Sequence, residues 1–313
     1  MRIMLTGAGG FLGSRLLLYY QEKYEVFAPS RRELDFTCEE AVTEAVGAFR
    51  PDVLIHCGAI SDVGACERDP EGSMQVNVEG TRNLARACGQ VGARMVMCSS
   101  DQVYFRKAAE GEGREEFLRP HREEERCNPL PLYGKHKLLA EEACLTGQPD
   151  SVILRLTWMY GELTEEERKK GRKNLAVLLE ELYAQRQEIK RQETKKQEAK
   201  KLSFSETDYR GVTDVGEVVR QMEDAWKLPP GIYNFGSPAS GSMYECVRGA
   251  LESLGMEDMA EPSEGSGGLR NLGMDPEKTA RAGIRFPDSA EGLRRYLDSL
   301  GACPEDPRSI SLA

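Results

Sequence analysis

The chain has 313 residues, 40% of them hydrophobic and 30% charged, with a formal net charge of −10. That length suits one large or two modest domains, and the composition suits a folded chain over a disordered one. No run approaches the roughly 18 apolar residues of a membrane-spanning helix, and the surplus of negative charge disfavours nucleic acid, so neither membrane nor nucleic acid is expected as a partner.

Short β-branched apolar runs alternate with segments of helical period, which predicts a doubly wound parallel α/β sheet of the Rossmann type. Arg2–Leu5 reads as the first strand, Gly13–Tyr24 as the first helix, Glu25–Ala28 as the second strand, Cys38–Phe49 as the next helix and Val53–Cys57 as the third strand. Asn77–Val91 is a strongly periodic helix, Arg94–Ser99 a strand, Leu132–Leu145 a helix and Val152–Leu156 a strand. Between them, the charged, glycine-containing stretch 105–128 reads as a surface loop or flap. After Gly161 come a lysine-rich, helix-forming run over 168–201, a helix at Gly216–Trp226, a strand at Gly231–Phe235, a helix at Met243–Leu254, a polar linker at 261–268 and a last helix near Ala290–Leu300. The division expected is a dinucleotide-binding domain over 1–160, with 211–230 packing back on it. A smaller mixed α/β substrate-binding lobe takes 161–313 and includes the charged helical segment. Within that segment, the acidic and basic residues of 186–201 alternate at helical spacing, which favours a solvated face over a polyanion site.

The nine cysteines are odd in number and form no CxxC pair, and the three histidines are dispersed. Neither a disulfide framework nor a metal site follows, and a cytoplasmic protein is expected.

Gly7, Gly10 and Gly13 follow the first strand directly and open the first helix. The first glycine permits a tight turn, the second lets a pyrophosphate approach the backbone, and the third lets helix and strand pack closely. In this strand–loop–helix context the pattern indicates a dinucleotide site. Cofactor choice is written after the second strand, where an acidic residue would hold the ribose of NADH and a basic one the extra phosphate of NADPH. Ser30 and Arg31 stand there with no carboxylate among residues 28–32, which favours NADPH, with NADH as the alternative.

Tyr133 and Lys137 lie four apart on a predicted helix, hence one turn apart on one face. A nearby ammonium lowers a phenol pKa towards working pH, so that the phenol exchanges a proton with a carbonyl or alcohol oxygen. Ser100, at the end of a strand, supplies a second hydrogen bond to the same oxygen. The candidate catalytic set is therefore Ser100, Tyr133 and Lys137.

With these features the chain resembles the extended short-chain dehydrogenase/reductases, and among them the dTDP-4-dehydrorhamnose reductases of the sugar-nucleotide branch. The resemblance extends through Leu34-Asp35-Phe36-Thr37, Arg50-Pro51-Asp52-Val53, Gly58-Ala59-Ile60, Asn77-Val78-Glu79-Gly80-Thr81, Ser99-Ser100-Asp101, Arg155-Leu156-Thr157-Trp158-Met159-Tyr160-Gly161, Gly231-Ile232-Tyr233-Asn234 and Met274-Asp275-Pro276. It implies that Gly10, Phe11 and Leu12 contact the pyrophosphate, that Asp35 and Phe36 border the adenine, and that Gly58, Ala59 and Ile60 line the cofactor path. It implies further that Ser100 orients a substrate carbonyl, that Tyr133 protonates it, and that Lys137 holds the nicotinamide ribose while tuning Tyr133. Asp101 and Trp158 match positions that contact the sugar. The function implied is NAD(P)H-dependent reduction of a 4-keto nucleotide sugar by a cytoplasmic enzyme for which a homodimer is compatible. Rival readings are an epimerase of the same branch and a non-catalytic subunit that keeps the dinucleotide. The chain departs from the family's pattern after Asp101 and again at Asp208-Tyr209-Arg210-Gly211-Val212-Thr213-Asp214, at the nucleotide-sugar end of the site. Arg172 or Lys173 is a candidate for approaching a substrate diphosphate.

Overall fold

The structure, a computed structural model, describes residues 1–169, 171–191, 201–265 and 267–301. The chain opens with β1 (Arg2–Thr6), α1 (Phe11–Tyr20), β2 (Glu25–Phe27), α2 (Glu39–Phe49) and β3 (Val53–His56). Two short helices, α3 (Val63–Arg68) and α4 (Pro70–Met74), lead through a π-helical turn at Gln75–Glu79 into α5 (Gly80–Val91) and β4 (Arg94–Ser100). A one-turn helix α6 (Arg114–Phe117) precedes α7 (Leu132–Gly147), β5 (Val152–Leu156) and β6 (Trp158–Tyr160).

The second half holds α8 (Glu165–Lys169), α9 (Leu175–Arg191), β7 (Leu202–Ser205), β8 (Asp208–Arg210), β9 (Val212–Asp214), α10 (Val215–Ala225) and β10 (Gly231–Phe235). It closes with α11 (Met243–Glu252), β11 (Ala260–Ser263), β12 (Arg270–Leu272), α12 (Glu277–Arg281) and α13 (Ser289–Gly301).

Six strands form one parallel sheet in the order β2-β1-β3-β4-β5-β10. Successive residues of its central strands point to opposite faces, and both faces are buried. Ile3 and Leu5 of β1 join Val96 of β4 and Leu154 of β5 in a core roofed by Leu16 of α1 and Val218 and Met222 of α10. Met4, Met95 and Ile153 face the other way, onto Val46 of α2, Leu84 of α5 and Ala140 of α7. The expected doubly wound Rossmann-like sheet is therefore what the chain forms. Among the described residues no strand lies outside β2, because the chain turns after Phe27 directly towards α2 and returns as β3 on the far side of β1.

A separate core lies among α9, α11 and α13. Leu175, Leu179 and Leu182, spaced for one helical face, pack with Val247 and Leu251 and with Leu293 and Leu297. Three two-stranded parallel ladders, β6–β9, β7–β11 and β8–β12, connect this part to the main sheet.

Three expectations change. The first helix begins at Phe11, two residues before its expected start, because Gly10 takes the N-cap position. The helix expected from Asn77 is reached through α4 and the π turn, which moves Asn77 onto the loop after β3. The stretch 105–128 is no free flap. Phe117, His121 and Glu123 are buried, Asn271 donates to the carbonyls of Phe117 and Arg119 at 2.8 Å each, and His121 stacks on Tyr104 with ring centroids 4.6 Å apart. In the lysine-rich run, α9 ends at Arg191, and 192–200 lie outside the described residues.

Candidate active site

The strand order reverses between β1 and β3, and sheets of this kind bind ligands beyond the carboxyl ends of the strands at such a point. A cleft of about 680 Å³ opens there. Gly10, Phe11, Leu12 and Gly13 line one end of it, Ser100, Asp101, Tyr133 and Lys137 its centre, and Trp158, Arg172, Lys173 and Arg210 the other end.

The glycine loop is closed too tightly for side chains. Gly7 has φ +79°, and a Cβ there would stand 2.5 Å from the Gly58 nitrogen, while one on Gly13 would stand 2.2 Å from the Gly7 carbonyl oxygen. Gly10 caps α1 with no side-chain acceptor for the first-turn N–H groups, and no acidic residue lies in that turn. The free donors and the positive end of the helix dipole therefore face the cleft, a cradle that fits a pyrophosphate.

Ser30 and Arg31 are exposed beyond β2, as the sequence places them. A carboxylate does stand there, however. Glu33 folds back to accept the Ser30 N–H at 2.8 Å, and that bond holds its pKa below the usual range. The reading of residues 28–32 overlooked it because the contact comes from one turn further along the chain. Asp35 is exposed and accepts from the backbone and hydroxyl of Thr37, which lowers its pKa, whereas Phe36 packs edge-on against His56 and covers Gly58. Ala59 lines the cleft. Asn77 fixes the adjoining loop by accepting the Ile60 N–H at 2.8 Å and donating to its carbonyl at 3.0 Å.

Ser100 ends β4, and Tyr133 and Lys137 face it from α7. The Lys137 ammonium donates to the Cys98 carbonyl at 2.8 Å and lies 5.9 Å from the centre of the Tyr133 ring. Burial lowers the Lys137 pKa. Burial also governs Tyr133, lifting its phenol well above the ordinary value, with the Ser100 hydroxyl pulling it back and the Asp101 carboxylate adding to the rise. The phenol is thus raised where a lowering was expected, because desolvation of a buried tyrosinate dominates. Tyr133 is held as a neutral acid.

Asp101 is buried with both oxygens engaged: Oδ1 accepts from the Ser100 hydroxyl at 3.1 Å and Oδ2 from Arg210 at 2.8 Å. Arg210 lies 5.3 Å from the centre of the Trp158 ring, which is 41% exposed at the cleft mouth. On the rim, Glu167 accepts from Arg15 of α1 at 2.7 Å and from Arg172 at 2.8 Å, so Glu167 ties Arg172 to the helix that opens at the glycine loop.

Residues 1–258 match the family described as RmlD substrate binding domain. The chain belongs to that family. Over 303 residues it is 28% identical to the spore coat polysaccharide biosynthesis protein SpsK of Bacillus subtilis, covering 95% of this chain and 96% of that protein. It is 39% identical over 162 residues to a dTDP-4-dehydrorhamnose reductase of Streptomyces griseus, a match that spans 51% of this chain and 50% of that enzyme. The crystal structure of dTDP-4-dehydrorhamnose reductase from Bacillus anthracis in complex with NADP superposes with a TM-score of 0.76 at 22% identity, over 95% of this chain and 98% of that one, and so shares the fold.

In this member of the RmlD substrate-binding-domain family, the structure gathers Gly10, Phe11, Leu12, Gly13, Ala59, Ser100, Asp101, Tyr133, Lys137 and Trp158 into one cleft. Gly7, Phe36, Gly58 and Ile60 support it from behind, and Ser30, Arg31 and Asp35 lie outside its lining. Sequence reading missed Arg210, which lines the cleft, and Glu33, which accepts from Ser30 outside it. Arg210 follows a break in the familiar pattern, and only the pairing of β8 with β12 shows that it reaches Asp101.

Proposed function

We propose that the protein is an NADPH-dependent reductase of a 4-keto nucleotide sugar of the dTDP-4-dehydrorhamnose kind, with NADH as the alternative cofactor. One observation carries the reading: Tyr133 and Lys137, one turn apart on α7, meet Ser100 in the same cleft as the open N-terminus of α1. The name of the Streptomyces griseus relative supports the substrate class, and the ligand in the Bacillus anthracis structure supports the cofactor. A dinucleotide would rest on Gly10, Phe11 and Leu12, with Lys137 towards its ribose and Arg31 towards a 2′-phosphate, where Glu33 opposes the extra charge. When bound, its dihydronicotinamide supplies the hydride.

The chain's own residues do the rest. The Tyr133 hydroxyl gives its proton to the carbonyl oxygen as charge develops there, and the Ser100 hydroxyl donates a second hydrogen bond to that oxygen. Trp158 offers an apolar face to the sugar, and Arg172 and Lys173 offer positive charge to the diphosphate. In this reading the glycine-loop half, with α10 packed on it, is the dinucleotide domain, and the α9–α11–α13 core belongs to the substrate lobe of a cytoplasmic homodimer.

The test is loss of reduced-nicotinamide absorbance with purified protein, NADPH or NADH, and dTDP-4-keto-6-deoxyglucose or its 3,5-epimer. Sugar-dependent loss is expected, and the Tyr133→Phe variant should bind cofactor while turnover falls by roughly 100- to 10,000-fold. Cofactor binding without sugar-dependent oxidation would remove the proposal, and full turnover by the variant would remove the role of Tyr133.

A further inference from the structure

Arg210 is the cation buried most closely against the reacting centre on the sugar side of the cleft. Its side chain is 11% exposed, and one guanidinium nitrogen is committed to Asp101 Oδ2. Its Nε is buried and has no hydrogen-bond partner among the described residues. The nearest competing cation, Arg270, is occupied by Asp208 in a two-pronged ion pair. A buried donor without an acceptor is unfavourable unless a ligand supplies one.

The shared carboxylate fixes where that acceptor sits. Ser100 binds one oxygen of Asp101 and Arg210 the other, so one carboxylate holds both the Arg210 guanidinium and the hydroxyl that contacts the substrate carbonyl. Two donors held on one carboxylate can each reach one of two neighbouring oxygens on a sugar ring. We propose that Arg210 is a specificity-determining residue that donates to the oxygen on the sugar carbon beside the carbonyl, selecting a substrate with a 3-hydroxyl. Asp101 acts behind it as a positioning residue, aiming both Arg210 and Ser100, and Trp158 limits the swing of the guanidinium at the mouth of the cleft. This rests on the nucleotide-sugar reading of the site. A pocket that holds a donor for an oxygen rejects a ligand without that oxygen because the donor is left unpaired.

The experiment is calorimetric titration of the full chain, with NADP⁺ present, using dTDP-6-deoxyglucose, its 3-deoxy analogue and dTDP alone. For the unaltered protein, the 3-hydroxyl sugar should bind about 10- to 100-fold more tightly than the 3-deoxy sugar. In Arg210→Met that ratio should fall to near one, and in Arg210→Lys to an intermediate value, with dTDP affinity unchanged in both. Loss of a merely structural contact would weaken the two sugars equally and leave the ratio intact, which would overturn the proposal. So would a ratio near one in the unaltered protein, a measurement that does not depend on either variant folding. Failure of dTDP and both sugars to bind at all would instead overturn the nucleotide-sugar reading beneath it.

Discussion

Tyr133 has the protonation state that reduction requires. Its phenol is raised by burial, so the acid form persists through the working range, and proton donation needs that form. The sign follows directly. From about pH 6 to pH 9, below even an ordinary tyrosine pKa, the reductive kcat should show no decline traceable to Tyr133. Oxidation of the alcohol product needs the phenolate instead, and its rate should climb with pH over the same span. Stopped-flow rates in both directions check this, and a reductive rate that falls with a midpoint near neutrality would contradict a buried neutral donor. The Tyr133–Lys137 spacing was legible because it needs only a helix. The balance between burial and charge was not, because it depends on groups brought in from α3, β4 and the turn beyond β4.

At the scale of elements, the stretch 105–128 shows what charge density conceals. Its sequence is dominated by Arg and Glu, and one aromatic residue anchors it: Phe117 is buried beneath the Arg106 guanidinium, which Glu112 holds in a two-pronged ion pair. The pairing lowers the Glu112 pKa to about 2. Asn271 of β12 then donates to the backbone carbonyls on either side of Leu118, so the strap braces β12 and, through it, β8 with Arg210. Phe117→Ala should therefore lower stability by about 3–5 kcal/mol, the usual range for emptying a buried aromatic site. Chemical denaturation measures this, and a loss below about 1 kcal/mol would mean that the strap is not an anchored part of the fold. The sheet strands of the first half were legible almost to the residue, since period and glycine placement are local signals, whereas α1 shifted at both ends and α3 and α4 were not read. The three short ladders were not, because each pairs segments far apart in the sequence.

Across the whole molecule, the sheet's centre makes stability depend on pH. His56 ends β3 with its ring between the hydroxyls of Thr6 and Thr81 at 2.7 and 3.1 Å. Burial, aided by the Lys137 charge, pushes its pKa down to about 3. An unfolded histidine titrates near 6.5, so between those values the unfolded chain binds the proton and the folded chain does not. The contribution is fully present above about pH 6.5 and is lost as the pH falls towards 3. Denaturant midpoints taken from pH 7 down to pH 4 should fall steeply, and His56→Gln should flatten that slope; equal slopes would show that other groups set the acid limit. Within the described residues no helix is long and apolar enough to cross a membrane. Arg15 of α1 joins Glu167 of α8, residues 152 apart in the sequence, a contact that no local pattern reveals.

The central claim is hydride transfer to the sugar carbonyl, and isotope transfer tests it most directly. NADPH carrying deuterium at the transferred position of nicotinamide C4 would be incubated with the protein and a dTDP-4-keto-6-deoxy sugar, and the sugar product examined by mass spectrometry and NMR. The account requires a product with one deuterium at sugar C4, formed in step with cofactor oxidation. A product with no deuterium, or an isomerised sugar with the cofactor unconsumed, would contradict it.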